Sequence, residues 1–136
     1  MRIAALDVGE VRIGVAVSDE LGITAQGIGV VQRVGGRRDL EALATLLAPY
    51  TPERLVVGLP LNMDGSEGRQ VVKVRAFAEA VAAHLSLPLE YWDERLTTVA
   101  AERALLEADV SRKRRRDLVD KVAASLILQG YLARHT

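Results

Sequence analysis

The chain has 136 residues, with 18 Lys and Arg balanced by 18 Asp and Glu, and no cysteine. That length suits one domain with a sizeable core, and the missing thiols exclude a disulfide, a thiolate nucleophile and a Cys-based zinc site. Zero net charge leaves any polyanionic partner to a local patch, and the 49% of hydrophobic residues never gather into a membrane-spanning run.

The opening MRIAALDVGE turns acidic too soon for a secretory leader and reads as a first strand, Arg2 to Val8, ended by Gly9. VRIGVAVSD follows at once, β-branched at Val11, Ile13, Val15 and Val17, and is expected to pair back as a hairpin. QGIGVVQRV is a third strand. GGRRD breaks the pattern, and Leu40, Leu43, Ala44 and Leu47 then mark a helix that stops at Pro49. RLVVGLP is a short buried strand, and LNMDGSEG a loop of turn residues. The spacing of Val71, Val74, Ala78, Val81 and Leu85 predicts a second helix from about Glu67 to Leu85. LPLEYW is a fifth strand, TTVAAERALLEA a third helix capped by Thr97 or Thr98, and residues 112 to 133 a last helix. No linker or repeat divides the chain, so residues 1–136 are expected as a single domain. The order β-β-β-α-β-α-β-α-α predicts an α/β protein. Its five-stranded mixed sheet joins an antiparallel three-strand meander to parallel strands, with helices on both faces. That order matches the ribonuclease H-like fold. Of the two histidines, His84 is expected on a helix surface and His135 in a frayed terminus.

In the last helix, DLVDKVAASLILQGYL, one residue is out of place. Projected at ~100° per residue, Asp120 falls within the apolar stripe of Ala123, Ala124, Ile127 and Tyr131. A carboxylate there is costly unless something pairs with it. Asp7 ends the first strand, Asp93 and Glu94 follow the fifth, and all three can share one sheet edge with Asp120. Clustered carboxylates need a counter-charge, and oxygen-only ligands favour Mg²⁺ or Mn²⁺ over zinc. Two such ions ~3.5–4 Å apart can activate a water and stabilise the leaving oxygen of a phosphodiester. Each acid also has an ordinary reading. Asp7 can cap the hairpin turn, Asp93 can be a helix-entry acid, Glu94 can pair with Arg95 or Arg12, and Asp120 with Lys121 or a buried arginine.

Beside the helix acids lies RKRRR, Arg112, Lys113, Arg114, Arg115 and Arg116. Cations in a first turn oppose the helix dipole, so helix stability does not explain them, and they stand where a nucleic-acid backbone would pass. Arg33, Arg37, Arg38, Arg69, Lys73 and Arg75 extend the expected patch, and Arg95, beside the acids of the DER motif, is expected to bind nucleic acid with the run Arg112 to Arg116. Five phosphate contacts predict a log–log salt slope of about −4 on duplex DNA. Aromatic residues at 4% argue against extensive base stacking and for recognition of backbone shape.

ALDVGEVRIGVAVSD, VVGLPLNMDGSEG, DERLTT and DKVAASLILQGYL together resemble the YqgF-like family, described as Holliday junction resolvases or pre-16S rRNA nucleases. The resemblance runs from Arg2 to about Leu132. It implies a ribonuclease H-like fold, a cytoplasmic protein, and a metal-dependent nuclease that trims the 5′ end of precursor small-subunit rRNA. Carried onto this sequence, the acids are Asp7, Glu94 or its neighbour Asp93, and Asp120. Asp117, three residues before Asp120, resembles the paired helix acids of the junction resolvase RuvC and would be a fourth ligand. In the GLPLNMDGSEG loop, Asn62 or Ser66 would contact phosphate. Precursor rRNA and branched DNA both remain open as substrates, as do a monomer and a homodimer. The hairpin LDVGEVRIGVAVS also resembles that of sugar kinases and actin-like ATPases, which need two such domains. The remaining alternative is a non-catalytic nucleic-acid-binding ribosome-assembly factor.

Overall fold

The computed structural model describes residues 1–96 and 112–135, with side chains in the last helix described from 119 onward. Its strands are β1 (Ile3–Val8), β2 (Arg12–Ser18), β3 (Ala25–Gln32), β4 (Arg54–Leu59) and β5 (Leu89–Asp93). Its helices are α1 (Arg37–Leu47), α2 (Arg69–Leu85) and α3 (Arg112–Arg134), with 3₁₀ turns at Ala48–Tyr50 and Glu94–Leu96. The sheet order is β3-β2-β1-β4-β5. β1 pairs antiparallel with β2 and β2 with β3, while β1–β4 and β4–β5 are parallel. This is the mixed sheet that the element order predicts. The predicted helix TTVAAERALLEA, with Thr97 or Thr98 as cap, lies outside the described residues.

Strand alternation sorts the side chains into two cores. Ala4, Leu6 and Val8 of β1, with Ile13, Val15 and Val17 of β2, face α1 and α2. Ile3, Ala5, Ala16, Val56 and Trp92 face α3, which returns Ala123, Ala124, Ile127, Leu128 and Tyr131. Each large aliphatic side chain so buried contributes roughly 1.5–3 kcal/mol relative to an exposed one. The α3 face is lined with small residues, and the helix lies close against the sheet as a result. A Cβ at Gly27 would stand 2.8 Å from the Lys121 carbonyl oxygen.

Helix α1 has no side-chain cap at Gly36. Asp39 reaches back instead, accepting from the backbone N–H groups of Val34 at 2.9 Å and Gly35 at 3.2 Å. Helix α2 starts at Arg69, two residues later than expected. Gly68 takes the N-cap position, and Glu67 stays outside to bind Arg75 Nε at 2.6 Å. His84 is exposed on α2, as expected. His135 is not frayed, because its ring stacks on Tyr131 at 4.0 Å and its Nδ1 lies 2.8 Å from the Tyr131 carbonyl.

Tyr131 closes the sheet at the rim where β4 and β5 begin. Its hydroxyl accepts from Arg54 Nη1 at 2.9 Å and donates to Glu90. Burial first, then the Glu90 carboxylate, push the Tyr131 hydroxyl above its ordinary pKa and keep it a donor.

Candidate active site

Asp7 is the penultimate residue of β1 and half-buried. Since Ile3 and Ala5 face α3, alternation aims Asp7 at α3 as well. Its ladder partner on β2 is Gly14. Continuing the Leu6–Val57 register by one step puts Gly58 of β4 on its other side. The carboxylate therefore stands in the row Gly14–Asp7–Gly58, between two positions without side chains.

What lies above the two glycines explains them. A Cβ at Gly14 would stand 2.0 Å from the Asp120 carbonyl oxygen, so the backbone of α3 rests directly on β2. A Cβ at Gly58 would stand 3.0 Å from Glu94 Oε1. Glu94 opens the 3₁₀ turn after β5, and this turn carries its carboxylate inward over β4. Neighbouring strands are ~4.8 Å apart. Asp7, the Glu94 carboxylate and the Asp120 segment of α3 thus meet at one corner, where β1, β4 and β5 end.

Asp120 is 18% exposed in its side chain, and its Oδ2 accepts from Arg12 Nε at 2.7 Å. The arginine alternative raised by the sequence is the one observed, and the partner is Arg12. This residue lies two positions before Gly14, on the same face and one step nearer the rim.

Asp93 faces the other way. It ends β5 on the α2 side, in register with Leu59. Arg95 binds it through Nη2 at 2.7 Å, through Nε at 3.1 Å and through its backbone N–H at 2.9 Å. The Arg95 guanidinium holds the Asp93 carboxyl below its ordinary pKa. Arg95 Nη1 also donates to the Met63 carbonyl at 3.1 Å, tying down the β4–α2 loop. Within that loop Asn62 Nδ2 donates to Ser66 Oγ at 3.0 Å, and the Ser66 hydroxyl donates to Asp64 at 2.6 Å.

The run from Arg112 to Arg116, together with Asp117, forms the first turns of α3, and those side chains lie outside the described residues. Helical rise places Arg116 about 6 Å and Arg112 about 12 Å along the axis from Asp120. Of the cations expected to extend this patch, Arg33 has a different task. It donates to the Gly9 carbonyl at 2.8 Å, and its guanidinium lies 4.5 Å from the centre of the Phe77 ring. It braces the turn that follows Asp7. Arg37 pairs with Glu41 at 3.4 Å, and Arg75 lies between Glu67 and the Tyr91 ring.

Sequence reasoning missed Arg12 as the partner of Asp120, Arg33 as a brace, and the two glycine seats. A signal for the seats was present, since a glycine inside a strand marks a close approach of something else. Both RIGVAV and VVGLP carry one.

Among the described residues, the acids brought to the corner offer oxygen donors, which suit a hard divalent cation. The missing side chains at Gly14 and Gly58 let the Asp120 backbone and the Glu94 carboxylate settle over the strands on either side of Asp7. Among the described residues, no three Asp, Glu or His side chains already form a metal-binding group. Asp120 is turned to Arg12, and the side chain of Asp117 is not among those described.

The family model described as RuvX, Holliday junction resolvase, matches residues 1–134. The chain belongs to the RuvX family. It is accordingly a nuclease, a hydrolase of phosphodiester bonds. A protein of Moorella thermoacetica is 58% identical to this RuvX chain, over 98% of the chain and 96% of the relative. One of Symbiobacterium thermophilum is 57% identical over 97% and 92%, and one of Myxococcus xanthus 56% identical over 99% and 89%. All three bear the name "Putative pre-16S rRNA nuclease". Among solved structures, Thermus thermophilus RuvC in complex with a Holliday junction aligns with a TM-score of 0.57 at 16% identity, covering 99% of this chain and 96% of that one. The fowlpox virus Holliday junction resolvase aligns at 0.56 and 16%, over the whole of both chains. At these identities the likeness shows the fold, the ribonuclease H-like one expected from the element order.

Proposed function

We propose that this RuvX chain is a divalent-metal-dependent nuclease that trims the 5′ end of precursor 16S rRNA in the cytoplasm, with Asp7, Glu94 and Asp120 holding Mg²⁺ or Mn²⁺. The reading is carried by the row Gly14–Asp7–Gly58, with the Glu94 carboxylate over one glycine and the Asp120 backbone over the other. When bound, the ions supply Lewis acidity and an activated water for in-line displacement. The protein's own contribution is placement. The β-ladder fixes Asp7, the turn after β5 fixes Glu94, and the seat on Gly14 fixes Asp120. Asp117, one turn earlier on α3, adds a donor. Asp93 is left out of the ligand set, because it lies on the α2 side of the sheet, in register with Leu59, and Asp7 lies on the α3 side. Arg95 in turn shapes the β4–α2 loop, and the phosphate backbone is held by Arg112 to Arg116.

The shared name of the relatives favours precursor rRNA, whereas the family description names a junction resolvase. The test therefore runs both substrates side by side with Mn²⁺. A labelled 16S precursor with its 5′ leader should be cut by the wild type, and at least about 10²-fold more slowly by a folded Asp7→Asn variant. Equal cutting by both proteins would refute the assignment. Cutting of a four-way DNA junction alone would move the substrate to branched DNA.

A further inference from the structure

The pairing of Arg12 with Asp120 joins residues 108 positions apart in sequence, at the corner where Asp7 and Glu94 meet. Both backbones are pinned. The Arg12 carbonyl accepts from the Gly9 N–H at 2.9 Å, and the preceding Val11 carbonyl accepts from the Arg33 N–H at 2.8 Å. The Asp120 backbone cannot come nearer, because its carbonyl already rests where a Gly14 Cβ would be, and the next turns of α3 are anchored on the sheet by the buried Ala123, Ala124 and Ile127. The two side chains can therefore part only by rotating about their own bonds. They are also open to solvent, Arg12 at 26% and Asp120 at 18% exposure, so ions can reach them.

Arg12 Nε already occupies Asp120 Oδ2, so a divalent cation drawn to that oxygen competes with the guanidinium. At first-contact distances the two positive charges would lie within a few ångströms of each other and repel. We infer that Arg12 is the resident counter-ion of Asp120, a built-in competitor that a divalent cation displaces as it completes the site. This rests on the nuclease reading, since it takes Asp120 as a metal ligand. It also answers how a corner holding several carboxylates stays together before metal arrives: part of its negative charge is balanced from within the chain. The pair sits on the rim side of the Asp7 row, so displacement swings the guanidinium toward the approach of a phosphate backbone.

A structural tie between α3 and the hairpin would look the same in geometry but behave oppositely under substitution. Removing a tie loosens the site and weakens metal binding. Removing a competitor strengthens it. The test is a titration of Mn²⁺ followed by electron paramagnetic resonance of the unbound ion, without nucleic acid, on the wild type, Arg12→Gln and Arg12→Lys. Given the modest strength of an ion pair this exposed, Arg12→Gln should bind Mn²⁺ about fivefold more tightly. Arg12→Lys, a point charge that grips a carboxylate less well than the guanidinium fork, should fall between the two. Without metal, Arg12→Gln should melt below the wild type, and with saturating Mn²⁺ the gap should close. Affinity unchanged or weakened in both variants would overturn the inference and leave the nuclease reading standing. Absence of Mn²⁺ binding in all three proteins would overturn both.

Discussion

At the scale of single residues, Gly14 and Gly58 do as much for the site as the acids, and they do it differently. At Gly58 the obstacles to a Cβ are the tips of two side chains, Ile127 Cδ1 at 2.6 Å and Glu94 Oε1 at 3.0 Å. Neither is backbone, so a shift of side chains suffices. Gly58→Ala should therefore stay folded at a cost of about 1–3 kcal/mol from overpacking, while pushing the Glu94 carboxylate away from Asp7. Nuclease rates should fall by at least about tenfold, in line with what a misplaced catalytic group costs, and thermal melts run beside the rate assay separate the two effects. A variant as active as the wild type would show that the Glu94 position is not needed. Asp93, next in sequence, has no such sensitivity to Gly58, because it faces the opposite side of the sheet and is bound by Arg95.

At the scale of elements, the seating of α3 on β2 is a contact between two backbones, and no rotamer can relieve it. A Gly14→Ala methyl would meet the Asp120 carbonyl at 2.0 Å, so the whole helix must shift. The expected loss is about 3 kcal/mol or more, at the upper end for overpacked sites, and urea unfolding measures it. Most elements were legible in the sequence: β1 as a short apolar run ended by Gly9, β2 by its β-branched alternation, and α1 and α3 by apolar stripes with a period near 3.6. The side of the sheet on which Asp7 lies follows from the same alternation. The start of α2 was not legible, because Glu67 fits the helical spacing yet is drawn off to Arg75. Which of Asp93 and Glu94 turns toward β4 and α3 was not legible either, since it depends on the sense in which the chain turns after β5. Nor was the link between Arg12 and Asp120, for no local pattern reports on a partner 108 residues away.

At the scale of the whole molecule, the two rims of the sheet do different work. The rim where β1, β4 and β5 end gathers the acids. The opposite rim is closed by Tyr131, Arg54 and Glu90. Tyr131→Phe removes the hydroxyl between that arginine and that glutamate, and should cost about 0.5–1.5 kcal/mol for the lost hydrogen bonds, since Arg54 and Glu90 still face each other and solvent. Because that triad is far from the acid corner, cleavage rates below the melting transition should not change. A rate that fell with stability would show that the rims are coupled. The sheet also separates the hydrophobic interior into two compartments, and Asp7 and Asp120 stand on the side of only one of them. Leu43, Val57 and Val81 are packed in the other, behind the strands. Apolar exchanges there can retune how much heat the fold withstands while the acid corner, on the far side of the strands, keeps its shape.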